Sequence, residues 1–394
     1  MKYCVLIIDG AADLPIAERG GRTCLEMANT PNMDVMAARS LIGMTRTVPD
    51  GMEASSACAC MSILGYDPKV YYRGRASIEA KSMGIPFEQG EVFFRCNLVT
   101  ISDGVMTSYS AGAIADDEAH ALMAAIQDEL GSDGLRFYPG VSYRNILKLK
   151  GHSETLGAAC TPPHDISDKS AADYLPSGPG SELLLKIMDE ARPILEDHPV
   201  NLVRKRRGDL PATDIWLFWG SGHSPDMPHF AQLYGLDAAL TSGVDLLKGL
   251  AGMTGMDVLD IPGVSDSAGN DYAAQMAGAI AALADHDLVI VHVEAPDEAG
   301  HEGDIDGKID AIEKIDGLMV NQLLNYDRGP RRVLIMPDHP TPIEIKTHSA
   351  DPVPFMIWGG GEGNGADRFT EAQAASTGMF IESGHEVIGK LIAR

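Results

Sequence analysis

The chain has 394 residues, 45% of them apolar and 22% charged, which is ordinary for a folded globular protein and excludes intrinsic disorder. Its formal charge of −25 repels phosphate backbones and anionic bilayers, which argues against nucleic-acid and membrane partners. The length points to two domains, and a small anionic substrate would need a local cluster of arginines to overcome the overall field.

No apolar run reaches the roughly 18 residues of a membrane span, and the N-terminal MKYCVLIIDGAADLP lacks the regions of a signal peptide, so the expected location is the cytoplasm. The six cysteines, Cys4, Cys24, Cys58, Cys60, Cys96 and Cys160, form no C-x-x-C pair and read as free thiols in a reducing compartment. For Cys58 and Cys60, packing is favoured over a redox or metal role.

In chain order, Tyr3 to Ile8 is a short apolar run ending in Asp9-Gly10, the pattern of a buried parallel strand that emerges at a turn. From Val48 to Pro68, a glycine-containing loop leads to Ser55-Ser56, and small residues then continue at helical spacing. Residues 71–222 differ in texture: short β-prone runs (Val92 to Ile101, Ile146 to Leu149, Ile215 to Trp219) alternate with Gly, Pro and Ser clusters, as in a separate α+β insertion. Asp271 to Leu283 and Ile305 to Leu324 read as helices. Between and after them, Asp287 to Val293 runs into Glu294-Ala-Pro-Asp297, and Arg332 to Met336 runs into Pro337-Asp338-His339. The predicted fold is therefore α/β: a discontinuous core, 1–70 and 223–394, with a central mostly parallel sheet and helices on both faces, plus an inserted α+β cap domain.

Ligands of open α/β sheets sit outside the carboxyl ends of the strands, and here those ends carry Asp and His. Asp297 and His301 stand four apart, so on a helix both side chains share a face and can grip one ion. Singly, each motif has a bland reading: a solvated helix start for Asp297 and His301, a turn for Asp338-His339, a loop histidine for His348. Jointly, Asp9, Asp297, His301, Asp338, His339 and His348 supply three carboxylates and three imidazoles, an inventory for two divalent ions. Mn2+ or Zn2+ suits it best, with Mg2+ and Co2+ as further options. Two ions roughly 3.5–4 Å apart clamp the attacking and leaving oxygens of a phosphoryl transfer. A serine at a helix N-terminus suits the nucleophile, although the same serine could simply be an N-cap.

These blocks resemble the archaeal-type, cofactor-independent phosphoglycerate mutases of the alkaline phosphatase superfamily. The resemblance runs through Ile8-Asp9-Gly10, Leu64-Gly65-Tyr66-Asp67-Pro68, Arg73-Gly74-Arg75, Phe94-Arg95-Cys96-Asn97-Leu98, Thr161 to Ile166, Ile215 to Gly220, Val244 to Gly249, Asp297 to His301, and Asp338-His339-Pro-Thr-Pro. It implies an alkaline-phosphatase-like core in which Asp9, Ser56, Asp338 and His339 surround one metal while Asp297, His301 and His348 hold the other. It implies Ser56 as nucleophile, no need for 2,3-bisphosphoglycerate, and a small phosphorylated substrate. Arg73, Arg75, Arg95, Arg144 and Lys248 are the implied partners of phosphate and carboxylate, with Arg204 and Arg207 weaker ones; a guanidinium fork suits such anions. His164-Asp165 resembles an acid/base pair, its alternative being an Asp N-cap beside a packed histidine.

The family ordinarily has glycine before the nucleophile and aspartate after it, where this chain has Ser55 and Ala57. Ser55 is thus a rival nucleophile. Rival functions are a phosphomonoesterase or homoserine-type kinase on the same core, and a non-catalytic regulator that binds phosphometabolites. The oligomeric state and the native metal stay open.

Overall fold

A strand reads as continuously apolar only where both faces of its sheet are covered, and β1 (Lys2–Ile8) is such a strand, buried at every residue after the first. The structure, a computed structural model, describes residues 1–223, 226–361 and 363–393. The further strands are β2 (Ser40–Thr45), β3 (Glu91–Ser102), β4 (Val105–Ser108), β5 (Leu135–Tyr138), β6 (Arg144–Lys150), β7 (Asp214–Ser221), β8 (Ala238–Thr241), β9 (Asp257–Val258), β10 (Leu288–Val293), β11 (Arg331–Met336), β12 (Val353–Trp358) and β13 (Phe380–Ile381). The chain divides into two units, Met1–Tyr72 with Pro225–Arg394, and Arg73–Ser224.

The first unit carries an eight-stranded sheet in the order β13-β2-β12-β11-β1-β10-β8-β9. Its pairings are parallel except where β12 meets β11 and β2, so the sheet is mostly parallel as the sequence predicts. One face, with Cys4, Leu6, Val289, Val291 and Ile335, packs on Met276, Ala279 and Ile312 from the helices Tyr272–Ala282 and Ile305–Ile315. The alternate residues Val5, Ile7, Ile290 and Leu334 are equally buried, and the helices Asp245–Thr254 and Val387–Ile392 contact β8 and β11. The run predicted as one helix to Leu324 changes to a π-helical turn at Asp316–Val320. There the Asp316 carboxylate accepts the backbone N–H groups of Asn32 and Met33, satisfying the start of the helix Pro31–Ala37.

The second unit is α+β. The long strand β3 is paired antiparallel with β4, β6 and β7, and β5 extends the sheet beyond β6. The helices Asp116–Leu130 and Ser181–Glu196 bury Leu122, Ile126, Leu184 and Ile187 against Phe94, Leu98 and Trp216. Among the described residues no helix is long and apolar enough to cross a membrane.

Candidate active site

The parallel register delivers the site. β1, β10 and β11 run side by side, so Asp9, Glu294 and Asp338 emerge at the same sheet edge. Gly10 follows at φ +61, and a Cβ there would lie 2.5 Å from Asp297 Oδ1 and 2.6 Å from Thr341 Oγ1. Only glycine lets the chain here approach Asp297 and Thr341 so closely. The Gly10 N–H in turn donates to Asp338 Oδ1 at 3.1 Å.

Asp297 and His301 share a face of the helix Ala295–Glu302, with His301 Nε2 3.2 Å from Asp297 Oδ2. His348 Nε2 lies 3.5 Å from Asp297 Oδ1 and 2.9 Å from His301 Nε2. The other ring nitrogens face carbonyls, His301 Nδ1 meeting Lys346 O at 3.0 Å and His348 Nδ1 meeting Ala54 O at 3.2 Å. A carbonyl accepts only, so both Nδ1 atoms carry the proton and both Nε2 lone pairs point at each other. Two lone pairs 2.9 Å apart require a proton or a metal ion, and this is the tautomer a metal ligand needs. Burial acts to lower His301, but the hydrogen bond and charge of Asp297 outweigh it and raise it to about 9.

A second set forms around His339. Its Nε2 is 3.2 Å from Ser56 Oγ, 3.3 Å from Asp338 Oδ2 and 3.7 Å from Asp9 Oδ1. Thr341 joins the two sets: its hydroxyl donates to Asp297 Oδ1 and its oxygen accepts from His339 Nδ1 at 3.3 Å. All three side chains, Asp9, Asp338 and His339, are fully buried. Burial, then the charges of Asp338, Glu294 and Asp297, push the Asp9 carboxyl well above its usual range, and Asp9 Oδ1 meets no donor among the described residues. A buried carboxylate with an idle oxygen, ringed by carboxylates and an imidazole lone pair, is a cation site in its chemistry. The donors present therefore fit two divalent ions.

Ser56 opens the helix Ser56–Ile63, and Ser55 is its N-cap, with Oγ accepting from Cys58 N–H at 3.4 Å. Ser55 sits at φ −155, an extended conformation open to any residue, so the position does not require glycine. Cys60, one turn on, hands its S–H to Asp338 Oδ2 at 3.5 Å, a contact that goes beyond the packing expected for it.

In the second unit, Arg75, Arg95 and His164 gather around Trp219. The Arg75 guanidinium lies 4.3 Å over the indole and that of Arg95 5.9 Å from it, and the His164 ring centre is 5.6 Å away. Glu79 braces both arginines, and although burial acts to raise it, their charges hold it down to about 2. Trp219 has φ +50, rare for so bulky a residue, at a bulge where the β3–β7 register slips between Phe93 and Arg95. Arg144 stacks over Tyr143 at 5.6 Å, and Tyr109 links Tyr143 to His164. His164 and Asp165 lie in a short 3-10 turn, 3.9 Å apart. Arg73 is exposed just before this group. Lys248, in the first unit, pairs with Asp245 at 3.3 Å.

Arg204 and Arg207 are placed differently from the sequence expectation. Arg204 is buried, with its guanidinium spent on Glu118, Ala111 O and Leu210 O, while Arg207 pairs with Glu118 and Asp209. They brace the fold, and the anion-binding set proposed below omits them.

Sequence reasoning passed over His292, Ser242, Thr341, Lys308 and Trp219. Lys308 is fully buried, donating to Ala12 O, Asp13 Oδ2 and Thr341 O, and so ties the loop after β1 to the loop after β11. His292 stands in an otherwise apolar strand, which was the available signal: a buried polar side chain has a partner.

The model of the 2,3-bisphosphoglycerate-independent phosphoglycerate mutases matches residues 37–201. A protein of that name from Methanothrix thermoacetophila is 48% identical over the full length of both chains. The chain belongs to this family. A relative from Geobacter sulfurreducens, named a probable member, is 41% identical, again over both full lengths. Among solved structures, the cofactor-independent phosphoglycerate mutase of Thermoplasma acidophilum matches with a TM-score of 0.64 at 27% identity, covering 100% of this chain and 99% of that one. A Pyrococcus horikoshii protein matches with a TM-score of 0.82 at 28% identity over 99% and 96% of the two chains. The α/β fold and the family expected from the sequence thus hold, and the use of divalent metal is in keeping with both.

Proposed function

We propose that this chain interconverts 3-phosphoglycerate and 2-phosphoglycerate by passing the phosphoryl group through Ser56. The observation that carries the reading is the placement of Ser56 Oγ, 3.2 Å from His339 Nε2 at the start of a helix and beside two sets of metal-ligating donors that Thr341 links. Asp9, Ser56, Asp338 and His339 would hold one ion and Asp297, His301 and His348 the other, with Mn2+ or Zn2+ the best match to mixed oxygen and imidazole donors. When bound, the two ions supply charge neutralisation at the phosphoryl oxygens and a lowered pKa for the serine hydroxyl.

Ser56 Oγ attacks phosphorus in line, the P–O3 bond breaks, and glycerate is left beside a phosphoserine. Glycerate then turns and its O2 attacks the same phosphorus, releasing Ser56 and forming 2-phosphoglycerate. Arg75 and Arg95, set by Glu79 and Trp219, together with Arg73 and Arg144, bind the carboxylate and phosphate, so the second unit serves as the substrate-binding domain. His164 and Asp165 move the proton to the departing glycerate O3 and from the attacking O2. Lys248 adds a positive charge on the first unit. The cytoplasm is the proposed location, in keeping with cysteines that are all free.

Purified protein given 3-phosphoglycerate, with enolase-coupled product and free phosphate followed together, tests the reading. Product without phosphate release supports a mutase, whereas phosphate alone would make the chain a phosphomonoesterase. Mass spectrometry of substrate-treated protein should locate the phosphate on Ser56.

A further inference from the structure

His292 lies on β10 with no side-chain exposure, between two valines of a strand that otherwise carries only apolar residues. Its Nε2 is 2.7 Å from Asp9 Oδ2 and its Nδ1 is 3.0 Å from Ser242 Oγ. Ser242 Oγ also accepts from the Val244 N–H at 2.9 Å, and Val244 is the N-cap of the helix that bears Lys248. With Asp9 ionised, as a ligand must be, one set of protons satisfies every contact. Val244 N–H donates to Ser242, the Ser242 hydroxyl donates to His292 Nδ1, and His292 Nε2–H donates to Asp9 Oδ2. The backbone at His292 is held as well, since Gln275 Nε2 donates to the His292 carbonyl at 3.0 Å and Asn270 Nδ2 donates to Gln275 Oε1 at 2.8 Å.

We propose that His292 is a positioning residue of the metal centre, which fixes one oxygen of Asp9 so that the other, Oδ1, is presented to the Asp338 and His339 side. The inference rests on the metal role of Asp9 proposed above. Outer-sphere partners of this kind set the orientation and basicity of a ligand. The competing reading is that Asp9, His292 and Glu294, whose donor atoms fall within 4.8 Å of one another, hold a cation of their own. The 2.7 Å separation is the length of a charge-assisted N–H···O bond, and Glu294 Oε2 stands back at 3.7 Å from the imidazole. A hydrogen-bond relay accounts for both distances.

The test uses the full chain stripped of metal and titrated with Mn2+, with free Mn2+ followed by electron paramagnetic resonance. The wild type is expected to take two ions. His292→Leu should still take two, one of them roughly 10–100-fold more weakly and the other unchanged. His292→Gln, whose amide can donate near the place of Nε2, should recover most of the loss. Ser242→Ala should weaken the same ion by a few-fold and serves in place of His292→Leu if that variant does not fold. Three ions in the wild type, falling to two in His292→Leu and in Glu294→Gln, would make His292 a ligand and overturn the relay. Unchanged affinities in folded His292→Leu, or in Ser242→Ala, would overturn it as well. A wild type that takes no Mn2+ would instead remove the metal role of Asp9, and the inference with it.

Discussion

Replacing Lys308 by methionine keeps most of the length of the side chain and removes an ammonium that three acceptors share. Lys308 Nζ lies 3.1 Å from Ala12 O, 3.1 Å from Asp13 Oδ2 and 2.8 Å from Thr341 O, with neither charged partner exposed by more than 1%. Asp13 stays behind as a carboxylate whose other oxygen accepts from Leu14 and Ile343 N–H groups, so it cannot swing to water without breaking both. Removing one partner of a buried pair costs about 3–5 kcal/mol. At ~2–4 °C per kcal/mol for a unit of this size, the melting temperature should fall by about 6–20 °C. Circular dichroism melts of metal-free protein measure it. Adding Asp13→Asn, which removes the stranded charge and keeps an acceptor for the two N–H groups, should restore part of the loss. A Lys308→Met melt within 2 °C of the wild type, or a double variant weaker than the single, would refute the assignment of Lys308 as a buried clamp.

Ser56→Ala should abolish mutase turnover while Ser55→Ala, which loses only an N-cap worth about 1 kcal/mol, should keep most of it; coupled assays of both variants check this. A double variant lacking Asp297 and His301 should bind about one ion fewer than the wild type by metal analysis, and a full complement would defeat that ligand set. Arg204→Ala should lower the melting temperature, because the Ala111 and Leu210 carbonyls lose their donor and Glu118 keeps only Arg207, and leave KM for 3-phosphoglycerate near the wild-type value; a large KM increase in folded protein would return Arg204 to the substrate site. Burial raises Glu371 to about 7, above the ordinary glutamate range, despite hydrogen bonds from the Thr23 hydroxyl and the Asp13 N–H. The folded state therefore binds the proton more tightly, and the stabilisation present below about pH 4.5 is lost as pH rises through 7. Melts between pH 5 and 8 should accordingly show a steeper decline for the wild type than for Glu371→Gln, and equal slopes would contradict the shift.

What the sequence made legible was periodic or terminal. Asp297 and His301 were readable because four residues make one helical turn, and Asp9 and Asp338 because apolar runs end at them. His292 was hidden, since a histidine inside an apolar run does not announce which strand lies beside it, and its partner Asp9 is 283 residues away. Trp219 was hidden for a different reason: its left-handed backbone comes from a bulge, and a bulge is a mismatch between two strands, visible in neither alone. Arg204 misled because sequence reports charge and not burial, and Glu118 spends that charge internally. Thr341 was passed over as one residue of Pro-Thr-Pro, although its hydroxyl joins the two ligand sets.

The central position of β1 has a consequence for biosynthesis. Tyr3 pairs with Leu288 on one side and Arg332 on the other, so the first strand to leave the ribosome finds its nearest sheet neighbour 285 positions later. At roughly 5–20 residues per second that is a delay of about 14–57 s. The second unit waits less, because its strands from β3 to β7 all lie within Glu91 to Ser221. Meanwhile Lys2-Tyr-Cys-Val-Leu-Ile-Ile8 remains an unpaired apolar segment on the nascent chain, open to intermolecular pairing. The strand that leads into Asp9 is thus the chain's oldest, and the speed of translation sets how long it waits unpaired.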